Sequence, residues 1–383
     1  MRVLHLVSNH KLTGPVDPAI RLARALFELN VDSHVAVGRP AAGPGPIDDL
    51  VRERGLEPVM DLRLPKHRRL LVNRRDSALL GHLIEKDPLD VLHAHLDNAH
   101  GIAARARRAF RKSLGGKGRP LVVRSLYDDT APRATLRARW LHGREADGVF
   151  VFGEGVRNDL IRRFGLAEDR VVKIEGSVVL DRFHPRPPGD DLRERFGIPR
   201  ESVVIGIVAR IQRHRRYELL LEAVRRVAAE VPEAHLLVLG RGTRARELAH
   251  DPVKRLGLEG RVSLPGYVGG EDYPRALACF DVKVFLVPGT DGTCRAVREA
   301  MAMGIPIVAT RRGFLPEIVR DGVDGFIIDE DVESLARALR TLAGDRRLRQ
   351  ELGANARLRA TTDFSQRAQA EKVLASYRRW LSE

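Results

Sequence analysis

Cysteine is almost missing from this 383-residue chain, which has only Cys279 and Cys294. Two cysteines build neither a disulfide framework nor a metal-ligand pattern, so a reducing cytoplasm is the expected compartment. Aromatic residues are scarce at 5%, and the common nucleic-acid motifs do not occur, so no nucleic-acid partner is expected. No run of eighteen apolar residues occurs, so no segment reads as spanning a membrane. The opening Met1-Arg-Val-Leu-His-Leu-Val7 is too short an apolar stretch for a signal peptide and reads as a first β-strand. Basic residues are plentiful: 66 Lys+Arg stand against 51 Asp+Glu, a formal charge of +15. The excess is heavier in the first half. One cluster there is Arg63, Lys66, Arg68, Arg69, Arg74 and Arg75; a second is Arg105, Arg107, Arg108, Arg111, Lys112, Lys117 and Arg119. They read either as solvated helix faces or as a surface for an anionic partner, such as a membrane or a phosphorylated acceptor.

With 43% hydrophobic residues the chain is not mostly disordered, and its length exceeds what one core usually serves, so two domains are expected. Apolar runs and helical patterns alternate throughout. Strands are read at Arg2–Val7, Ser33–Val37, Asp90–Ala94, Pro120–Arg124, Gly148–Phe152 and Val171–Ile174, with helices at Pro15–Leu29, Ala99–Arg111 and Thr135–Glu145 among them. Asp181–Asp190, rich in Pro, Gly and charge, reads as a linker. The rhythm then restarts with strands at Val203–Val208, His235–Leu239, Val262–Leu264, Val282–Val287 and Gly325–Ile328, and helices at Tyr217–Glu230 and Thr243–Leu256. Three helical patterns close the chain from Val332 to Trp380. The expected fold class is α/β: two doubly wound Rossmann-like domains facing a cleft, with ligands at the carboxyl ends of the strands.

The most telling stretch is Asp291-Gly-Thr-Cys-Arg-Ala-Val-Arg-Glu299, followed by Gly304-Ile-Pro306-Ile-Val-Ala309. It reads as acidic loop, helix, turn and strand. A carboxylate can accept two hydrogen bonds from a sugar or ribose diol, and the free N–H groups of Gly292, Thr293, Cys294 and Arg295 add donors at a helix start. Taken alone, the same residues could simply favour the helix dipole. Arg210, at the end of a strand, and Arg215, before the next helix, could clamp a diphosphate, although exposed loop arginines are common. Gly240-Arg-Gly242-Thr-Arg-Ala245 resembles a dinucleotide loop, but the acid expected after the next strand is missing, which argues against NAD. His93 and His95 share one face of a strand. His95 reads as a polar contact to substrate and His93 as a hydrogen-bonded core histidine. No further ligands for a zinc ion are evident beside them. Gly14, at a helix start, would let the backbone approach a phosphate.

Together these segments resemble the family-4 retaining glycosyltransferases of the GT-B fold. Asp291-Gly-x6-Glu299-Ala-Met-Ala-x-Gly304-x-Pro306-Ile-Val-Ala309 is similar to the family signature, and Pro316-Glu317-Ile-Val with Asp321-Gly-Val-Asp-Gly325 to its continuation. Ala209-Arg210 with Arg215, Leu239-Gly-Arg-Gly242, Asp90-Val-Leu-His-Ala-His95 and Leu180-Asp-Arg-Phe-His-Pro185 match further segments. The resemblance implies that Asp291 contacts the donor sugar and Glu299 the nucleotide ribose. It also implies that Arg210 and Arg215 neutralise the diphosphate, that His95 lies near the reacting centre, and that Gly14 approaches phosphate or acceptor. No metal, protein nucleophile or cofactor is implied beyond a nucleotide-sugar donor, UDP- or GDP-linked. The chain departs from the family pattern in carrying Asp291 in place of glutamate, Arg215 in place of lysine and Thr13-Gly14 in place of a double glycine.

The domains expected are residues 1–183 for the acceptor, 184–364 for the nucleotide sugar, and a final helix, 365–383, packing back toward the first domain. The activity implied is metal-independent glycosyl transfer to an acceptor such as a lipid or cell-envelope precursor, by a protein peripheral to an anionic cytoplasmic membrane face. The alternatives are a nucleotide-sugar epimerase, a phosphorylase lacking a suitable pyridoxal lysine, and a degenerate basic binding protein.

Overall fold

The computed structural model describes residues 1–12, 14–39, 45–113, 120–187, 190–288 and 291–383, without the side chains of 112, 113, 190 and 291–293. The chain forms two compact units. One comprises Met1–Ser177 with Gln366–Glu383, the other Val178–Ser365.

The first unit is a six-stranded sheet of β1 (Arg2–Val7), β2 (Asp32–Val37), β3 (Val91–Ala94), β4 (Leu121–Leu126), β5 (Gly148–Val151) and β6 (Val171–Lys173). The spatial order is β2-β1-β3-β4-β5-β6, and every pairing is parallel. These strands are near-continuous apolar runs because helices cover both faces. Alternation along β1 divides the core: Leu4 and Leu6 pack with Leu92, Ile102 and Val122 on one face, while Val7 packs with Ile20, Val35 and Val37 on the other. The helix Val16–Glu28 buries Val16, Ala19, Ile20, Ala23 and Leu26, the spacing of one helical stripe. The final helix, Gln366–Ser382, belongs to this unit. Its Trp380 indole N–H donates to the Asp169 carbonyl at 3.0 Å, and its Tyr377 hydroxyl lies 2.6 Å from His93 Nδ1.

The second unit repeats the architecture with β7 (Val203–Val208), β8 (Ala234–Leu239), β9 (Val262–Gly266), β10 (Val282–Phe285), β11 (Ile307–Thr310) and β12 (Gly325–Ile328), ordered β12-β11-β10-β7-β8-β9. Ile205, Ile207, Leu220, Val224, Val238, Val284 and Leu339 form its main core. In each unit the strand order reverses beside the first strand, between β1 and β3 and between β7 and β10. The carboxyl ends of such strand pairs leave a crevice in open α/β sheets.

Two expected helices differ in detail. Over Thr135–Glu145 a short turn, Leu136–Ala138, is capped by Thr135 Oγ1, which accepts from the Ala138 N–H at 3.2 Å; the helix then widens to i→i+5 bonding across Arg139–Glu145. Over Thr243–Leu256 a widened turn, Arg246–His250, precedes Asp251–Arg255. Pro252 brings no N–H there, so the regular ladder is interrupted. The second arginine cluster is not a uniform surface either. Arg107 is fully buried, donating to the Glu145 carbonyl at 2.6 Å and pairing with the Glu145 and Asp147 carboxylates.

Candidate active site

In the second unit the reversal between β7 and β10 brings together the segments after those strands. After β7 come Ala209, Arg210 and a tight turn, Arg213–Arg215, that leads into the helix Tyr217–Glu230. The Tyr217 hydroxyl donates to the Ala209 carbonyl at 3.0 Å and fixes this loop. After β8 the chain presses against it, with Ala209 N–H on the Leu239 carbonyl at 3.2 Å and Ile211 N–H on the Arg241 carbonyl at 3.1 Å. A Cβ on Gly240 would meet the Ala209 carbonyl oxygen at 1.9 Å, and one on Gly242 the Ile211 carbonyl oxygen at 2.1 Å. These glycines are therefore required by the approach of two protein loops, which Gly242 makes in addition to any contact with a nucleotide.

Arg210 is exposed and Arg215 half-buried. Among the described residues neither has a carboxylate partner, and Arg215 Nε is buried without a hydrogen bond. Burial lowers the Arg215 pKa, and the nearby Arg210 charge acts in the same direction. Two cations held close without an acid make a site that favours an anion.

After β10 the helix Asp291–Ala302 begins. Asp291, Gly292 and Thr293 form its first turn, and their side chains lie outside the described residues. Cys294 is buried, so any ligand contact it makes uses the backbone, whereas Arg295 is exposed. Glu299, two turns in, is 8% exposed and accepts from the Tyr273 hydroxyl at 2.7 Å. Burial, and then the Glu299 charge, push the Tyr273 phenol well above its usual pKa, so it remains a donor. Lys283 in β10 is fully buried. Burial brings its pKa down to about 7, with Glu299 pulling in the opposite direction.

In the first unit the segments after β1 and β3 carry Gly14 and His95. Gly14 has φ +51°, with open space where a Cβ would stand. His95 is 0% exposed, as are His93 and His5. His95 Nε2 lies 2.9 Å from His5 Nδ1, and its Nδ1 lies 2.7 Å from the Tyr127 hydroxyl. His93 bonds Tyr377 through Nδ1 and, at 2.8 Å, the Ser125 hydroxyl through Nε2. The His93 and His95 rings stack at 4.2 Å, as their shared strand face requires. His5 completes a group whose ring nitrogens lie within 4.8 Å of one another. The sequence reading placed no third ligand here. A metal would nonetheless have to displace existing bonds, since only His5 Nε2 lacks a partner among the described residues. Burial foremost lowers all three pKa values, His5 to about 3 and the others well below 6.5, so the group is neutral.

The comparisons with known proteins bear on the family and the fold. A model described as "Glycosyltransferase Family 4" matches residues 19–182, and one described as "Glycosyl transferases group 1" matches residues 189–359. The chain belongs to the family-4, group 1 glycosyltransferases. The D-inositol 3-phosphate glycosyltransferase of Thermobifida fusca is 32% identical over 246 residues, which is 61% of this chain and 55% of that protein. The sulfoquinovosyl transferase SQD2 of Arabidopsis thaliana is 31% identical over 242 residues, 61% of this chain and 45% of that protein. The chain thus spans about half the length of these curated relatives. Among solved structures, Anabaena Alr3699/HepE in complex with UDP has a TM-score of 0.78 at 20% identity, covering 99% of this chain and 100% of that one. This glycosyltransferase fold contains, among the described residues, no helix long and apolar enough to cross a membrane.

The sequence reading missed His5, Tyr127, Tyr273 and Tyr377. His5 had a usable signal, because a histidine inside an apolar strand needs a buried partner. The tyrosines had none, since their partners lie 26 to 284 residues away.

Proposed function

We propose that the protein is a metal-independent retaining glycosyltransferase whose donor is a nucleoside-diphosphate sugar, UDP-linked as in the Anabaena structure. The observation that carries this is the pair Arg210 and Arg215, without acid partners among the described residues, on the loop where the second sheet reverses. The charge that grows in the transition state is on the departing diphosphate, and preorganised cations stabilise it most where water is scarce. Glu299, already aligned by Tyr273, accepts from ribose hydroxyls. The N–H groups at the start of Asp291–Ala302 face the sugar or phosphates, with Asp291 on the sugar. His95, fully buried and bonded to His5 and Tyr127, stays part of the first unit's own network and is given no contact with the donor. The acceptor is a lipid or cell-envelope precursor, met at an anionic cytoplasmic membrane face.

The test is turnover of UDP- and GDP-sugars by the full chain and by Arg210→Ala. Selective consumption of one donor, lost in the variant while the fold is kept, supports the reading. Undiminished turnover in Arg210→Ala overturns it. NMR of the product anomer decides retention, because an inverted anomer excludes the retaining mechanism.

A further inference from the structure

The second sheet holds a buried charge that the transfer reading leaves without a task. Val282 and Val284 of β10 pack into the main core, so alternation turns Lys283 to the opposite face of the sheet. Lys283 is 0% exposed. Its neighbours across the ladder are Gly206 in β7 and Ile307 in β11, neither of them charged. A Cβ on Gly206 would meet the Phe280 ring at 2.1 Å. Gly206 therefore makes room for that ring, and the Lys283 ammonium stands 5.8 Å from the ring centre. An ammonium has three N–H donors. Among the described residues its hydrogen bond goes to the Val284 carbonyl, at 3.3 Å.

A lysine buried with so little hydrogen bonding is costly, and an apolar side chain of similar length would fill the same space without that cost. The helix Asp291–Ala302 packs against β10. It carries Glu299, itself buried and accepting from the Tyr273 hydroxyl at 2.7 Å. Glu299 is the charge that acts on Lys283 against the effect of burial. Other charged groups near Glu299 are placed differently. Arg295, one turn earlier on the same helix, is exposed to water that screens it. Arg298 stands over the Phe364 ring, 5.8 Å from its centre. Arg182, like Arg295, acts on the Tyr273 phenol. Lys283 acts from the sheet, through an interior where charge is poorly screened.

We propose that Lys283 is a positioning residue of the nucleotide site, whose buried ammonium keeps the Glu299 carboxylate ionised and available to the ribose. The proposal rests on the reading of Glu299 as the ribose contact. An ionised carboxylate accepts from both hydroxyls of a diol, whereas a protonated carboxyl turns one oxygen into a donor. Burial by itself favours the protonated form. A ribose site built on a buried glutamate therefore gains from a positive charge that water does not screen. Tyr273 orients the carboxylate, and Lys283 sets its charge.

The experiment follows the Glu299 carboxyl carbon by NMR against pH in the full chain and in Lys283→Met, with Glu299→Gln to assign the signal. The result expected is a protonation midpoint about one pH unit or more higher in Lys283→Met than in the parent. The parent signal should also show a second, smaller step near pH 7, where Lys283 gives up its proton. That step needs no variant, so it decides the matter if Lys283→Met does not fold, and its absence overturns the proposal. UDP is titrated calorimetrically in both proteins at about pH 8 and about pH 6. Comparison with the parent cancels the titration of UDP itself. Lys283→Met should lose about threefold or more additional affinity at the lower pH. An unmoved Glu299 midpoint overturns the proposal, as does UDP affinity with the same pH dependence in both proteins. A parent chain that binds no UDP counts against the transfer reading, and the Glu299 midpoint still decides whether Lys283 sets that charge.

Discussion

The two units share one architecture and treat polar groups at the carboxyl edge of their sheets in opposite ways. At the β1/β3 reversal the imidazoles of His5, His93 and His95 are fully buried, and all their nitrogens but one are bonded to hydroxyls or to each other. At the β7/β10 reversal Arg210 and Arg215 stand without acids among the described residues, beside the buried Glu299 carboxylate that accepts from Tyr273. The difference separates polar groups that build the protein from those kept for a ligand. A buried polar group without a partner is costly, so a completed network is a structural element. Cations left unpaired at a strand edge gain their partner only when an anion arrives.

The largest test of the contrast is acid. Five buried imidazoles lie in the first unit. Burial holds His5 to about 3 and His142 to about 4, and keeps His93, His95 and His100 well below 6.5. The second unit has one such imidazole among the described residues, His235, at about 4. Unfolded, each takes up a proton near pH 6.5; folded, it does not. The unfolded chain therefore binds more protons as pH falls below 6.5, and stability is lost at up to about 1.4 kcal/mol per pH unit per histidine. The first unit should unfold first between about pH 6.5 and 4. Trp140 and Trp380 both lie in that unit, so tryptophan fluorescence should change at higher pH than far-ultraviolet ellipticity does. Coincident transitions would erase the contrast.

Next in size, Arg210→Ala or Arg215→Ala should lower kcat/KM for the nucleotide sugar by about 10²–10³-fold, with Tm nearly unchanged. A large fall in Tm would mean that these arginines build the fold after all. Gly242→Ala should cost about 1–3 kcal/mol in a denaturant titration and weaken UDP binding, because its Cβ would displace the carbonyl of Ile211, the residue after Arg210. A neutral result would mean that the two loops move apart freely. Smallest, Tyr273→Phe should weaken UDP binding by about 0.5–1.5 kcal/mol in calorimetry by releasing Glu299, while Tyr377→Phe, which strands His93, should lower Tm and leave UDP affinity alone.

Strands and helices with strong periodicity were legible from the sequence: Val203–Val208, Tyr217–Glu230 and Gly325–Ile328 stand residue for residue as read. The widened turns at Arg139–Glu145 and Arg246–His250 were not, because the apolar pattern around them still has helical spacing. In the candidate site, the loop after β7 and the helix carrying Glu299 could be read from order and spacing, but not the start of that helix: Asp291, read as part of a preceding loop, is its first residue. The inward turn of Arg107 and Cys294 could not, because side-chain direction depends on neighbours that are distant along the chain.

The sequence by itself determined the two parallel sheets and the family, since both rest on local periodicity and on motifs contiguous in the chain. Only the tertiary structure decided which histidines, arginines and glycines are structural. It set Gly242 against Ile211, joined His93 to Tyr377 across 284 positions, and brought Tyr273 and Lys283 to bear on Glu299. The physical reason is that burial and hydrogen-bond satisfaction depend on through-space neighbours, which spacing along one strand or helix does not encode.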